Sequence, residues 1–125
     1  MKIVFDSYAW IEYFLDTNKA DIIEDYLTKE EVLTPSIVLL ELSYKADKEG
    51  WNFKKHLNFI KLNSKIIGFN DDFVLSFGGI YNDIKKKIKG IGFVDIIVLT
   101  SALMNDAKIL TGDKHFSGMK EAIVI

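Results

Sequence analysis

Apolar residues along this chain fall into short blocks whose spacing alternates between runs and helical periods. Lys2–Phe5 is a brief apolar run ending at Asp6 and predicts a strand. Trp10, Ile11, Phe14 and Leu15 then recur as one face of a helix would, and Ile22, Ile23, Tyr26 and Leu27 repeat the pattern in a second helix. Val32–Thr34 predicts another strand, closed by Pro35, the only proline, which suits the entry to a helix over Ser36–Ala46. Trp51–Leu62 carries Phe53, Leu57 and Ile60 at helical spacing, and Lys65–Gly68 follows as a strand. Asn70 or Asp71 is placed to cap a long helix reaching about Ile88; Gly78-Gly79 inside it suggests a bend or a close helix contact. A loop over Lys89–Gly92 leads to a helix over Val94–Asn105, a strand over Lys108–Leu110, a turn over Thr111–Lys114 and a last strand over Ala122–Val124. Strands alternating with helices predict an α/β fold with a parallel sheet covered on both faces.

The chain has 125 residues, the size of one ordinary domain, and no repeat or low-complexity tract divides it. Its formal charge is only −2, so no whole-molecule field gathers polyanions, and any grip on nucleic acid must be local. All 16 basic residues are lysines, which removes the bidentate guanidinium fork. Cysteine is absent, excluding disulfides, zinc-thiolate centres and a thiol nucleophile. The start of the chain does not read as a signal peptide. The most apolar stretch, Ile91–Met104, is short for a bilayer and carries Asp95, so the expectation is a cytoplasmic protein with no membrane contact.

Four acids stand where the fold gives them meaning. Asp6 ends the first strand and Asp113 follows Lys108–Leu110, both at the carboxyl edge where open α/β sheets bind ligands. Glu41 has Ile37, Val38 and Tyr44 as helical neighbours, and Asp95 shares its face with Val98, Leu99 and Ala102. A carboxylate on an apolar helix face is costly to bury without compensation. Each also has a structural reading. Asp6 fits a helix cap, Asp95 a first helical turn, Asp113 a tight turn, and Glu41 a pair with Lys45. Taken together they point to one shared site, where a hard divalent cation, Mg²⁺ or Mn²⁺, would relieve their repulsion. Such a cation favours phosphodiester hydrolysis.

At these residues the chain resembles the PIN-domain family, in particular its small VapC-like toxin ribonucleases. The resemblance spans the whole chain. It runs through Asp6-Ser7-Tyr8-Ala9-Trp10, Pro35-Ser36-Ile37-Val38-Leu39-Leu40-Glu41, Gly92-Phe93-Val94-Asp95-Ile96-Ile97 with Thr100-Ser101-Ala102, and Leu110-Thr111-Gly112-Asp113-Lys114-His115-Phe116. It implies a single three-layer α/β/α domain over residues 1–125 with a five-stranded parallel sheet. Asp6, Glu41, Asp95 and Asp113 would be the acidic Mg²⁺ or Mn²⁺ site, with Ser7 and Thr111 as supporting hydroxyls. It further implies a homodimer, endoribonuclease activity on an RNA substrate by in-line hydrolysis, and a cognate antitoxin whose C-terminal segment lies beside the active site. Many relatives use arginine to hold RNA or antitoxin; this chain has only lysine for that task.

Lys85, Lys86, Lys87 and Lys89 precede the loop to Asp95 and read equally as RNA-backbone contacts or as a solvated helix end. Lys114 and His115 flank Asp113; His115 reads as packed or exposed, or as an aid to the leaving group. His56 reads as structural. Tyr13 and Trp10, if exposed, would suit a dimer or antitoxin groove. Asp71, Asp72 and Asp83 read as a cap and a partner for lysine. A phospho-receiver reading fails for want of an acceptor aspartate ending a central strand, and a dehalogenase-like phosphatase fails because Tyr8 stands where a second aspartate belongs. Two alternatives stay open: a housekeeping RNA-processing nuclease, and a PIN module that binds RNA or protein without cutting.

Overall fold

The computed structural model describes residues 1–125. In chain order the elements are β1 (Lys2–Phe5), α1 (Ser7–Phe14), α2 (Ala20–Lys29), β2 (Glu31–Pro35), α3 (Ser36–Glu49) and α4 (Phe53–Asn63). They continue with β3 (Lys65–Ile67), α5 (Asp71–Lys87), α6 (Phe93–Met104), β4 (Lys108–Thr111), a 3-10 turn (Lys114–Phe116) and β5 (Ala122–Val124). The strands form one five-stranded sheet in the order β3-β2-β1-β4-β5, with every neighbouring pair parallel.

Burial along the strands shows why the sheet is sandwiched. Ile3, Val4 and Phe5 of β1 are all wholly buried, as are Ile109, Leu110 and Thr111 of β4. Successive residues point to opposite faces, so strands buried at every position must be covered on both. The chain steps from β1 to β2 to β3 in one direction and returns to place β4 on the far side of β1. Right-handed crossovers then put α1–α4 over one face and α5–α6 over the other, giving the expected three layers.

Local signals set the helix ends. Asp6 caps α1, Asn52 caps α4 and Asn70 caps α5, each side chain accepting from a backbone N–H three residues on. Helix α3 runs on from Ala46 to Glu49 and stops at Gly50, whose φ of 77° is the left-handed turn that suits glycine. Asp71 and Asp72 lie in the first turn of α5, and Lys85, Lys86 and Lys87 in its last, matching the helix dipole. Gly78 and Gly79 do not mark a close contact. Both are exposed, and a methyl group at either would meet nothing within 4 Å.

Trp10 is not an exposed interface anchor but wholly buried, with its indole N–H donating to the Thr34 hydroxyl at 3.2 Å. Its ring packs with Phe5, Phe14 and Phe59, and Tyr13 is half-buried in the same cluster. Helix α4 supplies the partners that a reading of α1 alone could not place. His56 belongs to this cluster too: its ring stacks on Phe14 at 4.0 Å, and burial lowers its pKa, as the structural reading requires. No helix is long and apolar enough to cross a membrane.

Candidate active site

The strand order reverses at β1, with β2 on one side and β4 on the other. Such a reversal opens a crevice at the carboxyl ends of the strands. Asp6 stands directly after β1, and Thr111 ends β4 with Asp113 two residues beyond. Glu41 lies in the second turn of α3, which leaves the end of β2 without a loop, and Asp95 lies in the first turn of α6. Four separate segments therefore deliver their acids to one edge of the sheet.

Asp6 does two things. One carboxylate oxygen accepts the Ala9 N–H at 3.0 Å, which caps α1, and the Thr111 hydroxyl also donates to it. Both bonds favour the ionised form, yet the Asp6 pKa is pushed up from 3.8 to about 7. Burial is the main cause, and the charges of Asp95 and Glu41 add to it. A helix cap by itself would do the opposite, so the cap reading is correct but incomplete.

Asp95 rises from 3.8 to about 6. Burial leads again, followed by the charge of Asp113, a hydrogen bond between the two carboxyls and the charge of Glu41. The Gly92 N–H donates to Asp95 and opposes the rise. Gly92 is the cap residue of α6, and Asp95 stands three residues on, where a carboxylate is placed to reach back toward the cap's N–H. Glu41 is half-buried and its pKa is also raised by burial, against the pull of Lys45 and a hydrogen bond from Ser7.

Asp113 is held by its own loop. Its N–H donates to Thr111 Oγ1 at 3.0 Å, while its carboxylate accepts the His115 N–H at 2.9 Å and faces His115 Nδ1 at 2.7 Å. The electrostatic links run Asp6–Asp95, Asp6–Glu41, Asp95–Glu41 and Asp95–Asp113, so all four acids feel one field. Thr111 lies against Asp6 and Ser7 against Glu41, each lowering its neighbour's pKa. As placed, no three of these side chains are near enough to hold an ion jointly. Free carboxylates of like charge spread apart, and the donors are all oxygen, so the set fits a hard cation that would draw them together.

The lysines are placed less pointedly. Lys85 donates to the Ile91 carbonyl at 2.9 Å and so braces the loop before α6, and Lys87 pairs with Asp83 at 3.0 Å. Lys86, Lys89 and Lys114 are exposed, and no ion pair joins any of these lysines to the four carboxylates. A hollow of about 530 Å³ beside β3, lined by residues that include Lys65, Phe69 and Met104, contains none of the acids. Mutual charge rather than cavity size marks this site. Sequence reasoning missed Gly92 and Tyr8. An acid three residues past a helix start could have exposed the first, whereas the ring of Tyr8 meets Gly112 only through the fold.

The PIN domain family pattern matches residues 3–122. No curated protein sequence matches the chain significantly. Among solved structures, VapBC2 of Rickettsia felis, bound to a DNA fragment from its promoter, superposes with a TM-score of 0.78 at 19% identity, covering 100% of this chain and 98% of that one. VapBC-1 of nontypeable Haemophilus influenzae gives 0.75 at 21% identity, with 99% and 98% covered. VapC20 of Mycobacterium tuberculosis, described as a sarcin–ricin loop cleaving toxin, gives 0.68 at 15% identity, with 95% and 97% covered. These likenesses establish a shared fold over nearly the full length of both partners. With the family pattern spanning almost every residue, the chain belongs to the PIN domain family.

Proposed function

We propose that this protein is a Mg²⁺- or Mn²⁺-dependent endoribonuclease and the toxin of a toxin–antitoxin pair, acting as a homodimer in the cytoplasm. The observation that carries the nuclease reading is the gathering of Asp6, Glu41, Asp95 and Asp113 at one sheet edge, where burial, with the charges of Asp95 and Glu41 added, pushes Asp6 up to about 7 despite two hydrogen bonds that oppose the shift. A structural carboxylate with such bonds titrates low; one held ready for a cation is kept charged only when the cation arrives. Bound there, the metal would supply Lewis acidity and offset the phosphodiester's negative charge.

The chain's own residues do the positioning. Ala9 N–H and the Thr111 hydroxyl fix the Asp6 carboxylate, and Ser7 fixes Glu41. Gly92 N–H fixes Asp95, and the His115 and Thr111 contacts fix Asp113. Each proposed ligand thus has its own support. The exposed Lys86, Lys89 and Lys114 are free to meet phosphates along an RNA strand. The toxin assignment is supported by the VapBC structures that share this fold and by a toxin–antitoxin complex of Klebsiella pneumoniae that shares it too.

The test is cleavage of a mixed RNA substrate by wild type and Asp6→Asn with Mn²⁺, Mg²⁺ or EDTA. Cutting that requires the metal and is lost in the variant is expected. Cutting that persists in EDTA, or survives the substitution, would overturn the assignment.

A further inference from the structure

Gly112 lies between two residues of the proposed site, Thr111 and Asp113, yet its backbone does not demand glycine. Left-handed φ angles fall on Gly50, Gly90 and Gly118, not on Gly112. What demands it is Tyr8. A methyl group at position 112 would overlap Cζ, Cε1 and Cε2 of the Tyr8 ring, so the hydroxyl end of that ring lies directly against the glycine. Tyr8 is half-buried in the first turn of α1, two residues past Asp6, and it also hydrogen-bonds Glu12 one turn further on.

The ring therefore spans two parts of the site. Its root is fixed by the helix that Asp6 caps, and its tip presses on the segment that carries Thr111 and Asp113. Thr111 is bonded to Asp6 on one side and to the Asp113 N–H on the other. Any drift of this segment away from α1 would lengthen the Asp6–Thr111 bond and move Asp113 relative to Asp95. Thr111 is paired to β5 and the turn's own hydrogen bonds shape Gly112 and Asp113, but the Tyr8 ring adds a contact from α1, and a flat ring on a bare α-carbon gives it at small entropic cost.

We propose that Tyr8 is a positioning residue for the acid site: its ring, laid on Gly112, sets the distance between Asp6 and the Thr111–Asp113 segment. The proposal rests on the reading of the four carboxylates as a cation-holding set, so the measurement is Mn²⁺ binding by calorimetry, with RNA cleavage and thermal melts alongside. Outer supports of metal ligands are worth about 10- to 100-fold in affinity. Tyr8→Ser is expected to weaken Mn²⁺ binding about tenfold, at the lower end of that range. Tyr8→Phe keeps the ring and should stay within about twofold of wild type. Gly112→Ala should match the loss in Tyr8→Ser when made alone, and add nothing when made in the Tyr8→Ser background.

A ring that only stiffened the fold would lower the melting temperature of these variants and leave their Mn²⁺ affinity unchanged, which would overturn the proposal. So would a Gly112→Ala protein that binds Mn²⁺ as wild type does. If Gly112→Ala fails to fold, Tyr8→Ser decides the question, because it removes atoms and creates no overlap. Wild type that takes up no Mn²⁺ would overturn the cation reading and this proposal together. Uptake unaltered by the variants would overturn this proposal alone.

Discussion

Replacing Asp6 with asparagine should destroy activity and stabilise the metal-free protein. The unfolded chain titrates this carboxyl near 3.8 and the folded protein near 7, so between those values the native state holds more protons. Native stability therefore declines as pH rises across that window and levels off above it. The full difference is worth about 4 kcal/mol at pH 8 and about 1.5 kcal/mol at pH 5, and it vanishes near pH 3. Asparagine removes the charge and keeps the rest: it caps helices as well as aspartate, so the Ala9 N–H retains its acceptor and Thr111 its partner. The pH 8 figure is a ceiling, because the other carboxylates move apart in the native protein and return part of the cost. At about 4 °C per kcal/mol for a chain of this length, Asp6→Asn should raise Tm by up to about 15 °C at pH 8, and by about 6 °C at pH 5. The assay is thermal unfolding by circular dichroism in EDTA at pH 3, 5 and 8. A lower Tm for the variant at pH 8, or a gain of equal size at pH 5 and pH 8, would refute the argument that Asp6 is buried against its neighbours' charge.

Saturating Mn²⁺ should reverse that order at pH 8, raising the wild-type Tm while leaving Asp6→Asn nearly unmoved, and the wild-type gain should shrink at pH 5 as protons compete for the same oxygens. Asp95→Asn and Glu41→Gln should each abolish metal-dependent RNA cleavage with an unchanged far-ultraviolet spectrum; full activity in either removes that residue from the site. Trp10→Phe should cost about 2 kcal/mol in urea unfolding, since it leaves the buried Thr34 hydroxyl short of a donor and empties part of the α1–α4 aromatic cluster. Lys85→Met should speed amide exchange at Gly90–Gly92, whose loop it braces through the Ile91 carbonyl, and exchange at the wild-type rate would show the bond to be idle.

The periodicity of the sequence located each strand and α-helix because each has its own apolar signature, and an end followed where a cap was spelled out, as at Asn70, whereas α3 runs three residues past the expected Ala46 before Gly50 stops it. The strand order was not legible in the same way: nothing local in Lys108–Thr111 says that it pairs with β1 rather than β3. Glu41 and Asp95 stood out because a carboxylate on an apolar helix face is costly to bury, which the pattern of positions reveals. The burial of Trp10 was not legible, for the converse reason. Its partners, Phe59 and Thr34, lie far along the chain, and a large aromatic on a short helix looks the same whether buried or displayed. Gly78 and Gly79 show the limit of glycine as a signal, since there it faces only solvent, while at Gly112 it admits a ring.

The two roles of Asp6 are physically joined. As a helix cap it must sit at the turn between β1 and α1, and the same turn is where the sheet opens its crevice. The cap bond then fixes the carboxylate's direction without neutralising it, because an N–H donor offers only a partial charge. A lysine in that position would quench the field and end any use for a cation. Lys45 lowers the pKa of Glu41 without reaching ion-pair distance, and His115 Nδ1 faces Asp113 at 2.7 Å. None of the 16 lysines forms an ion pair with these four acids, so Asp6 and Asp95, whose carboxyls are raised to about 7 and about 6, have no cationic partner. Folding tolerates that arrangement only at the expense of native stability, an expense that a cation held there would recover.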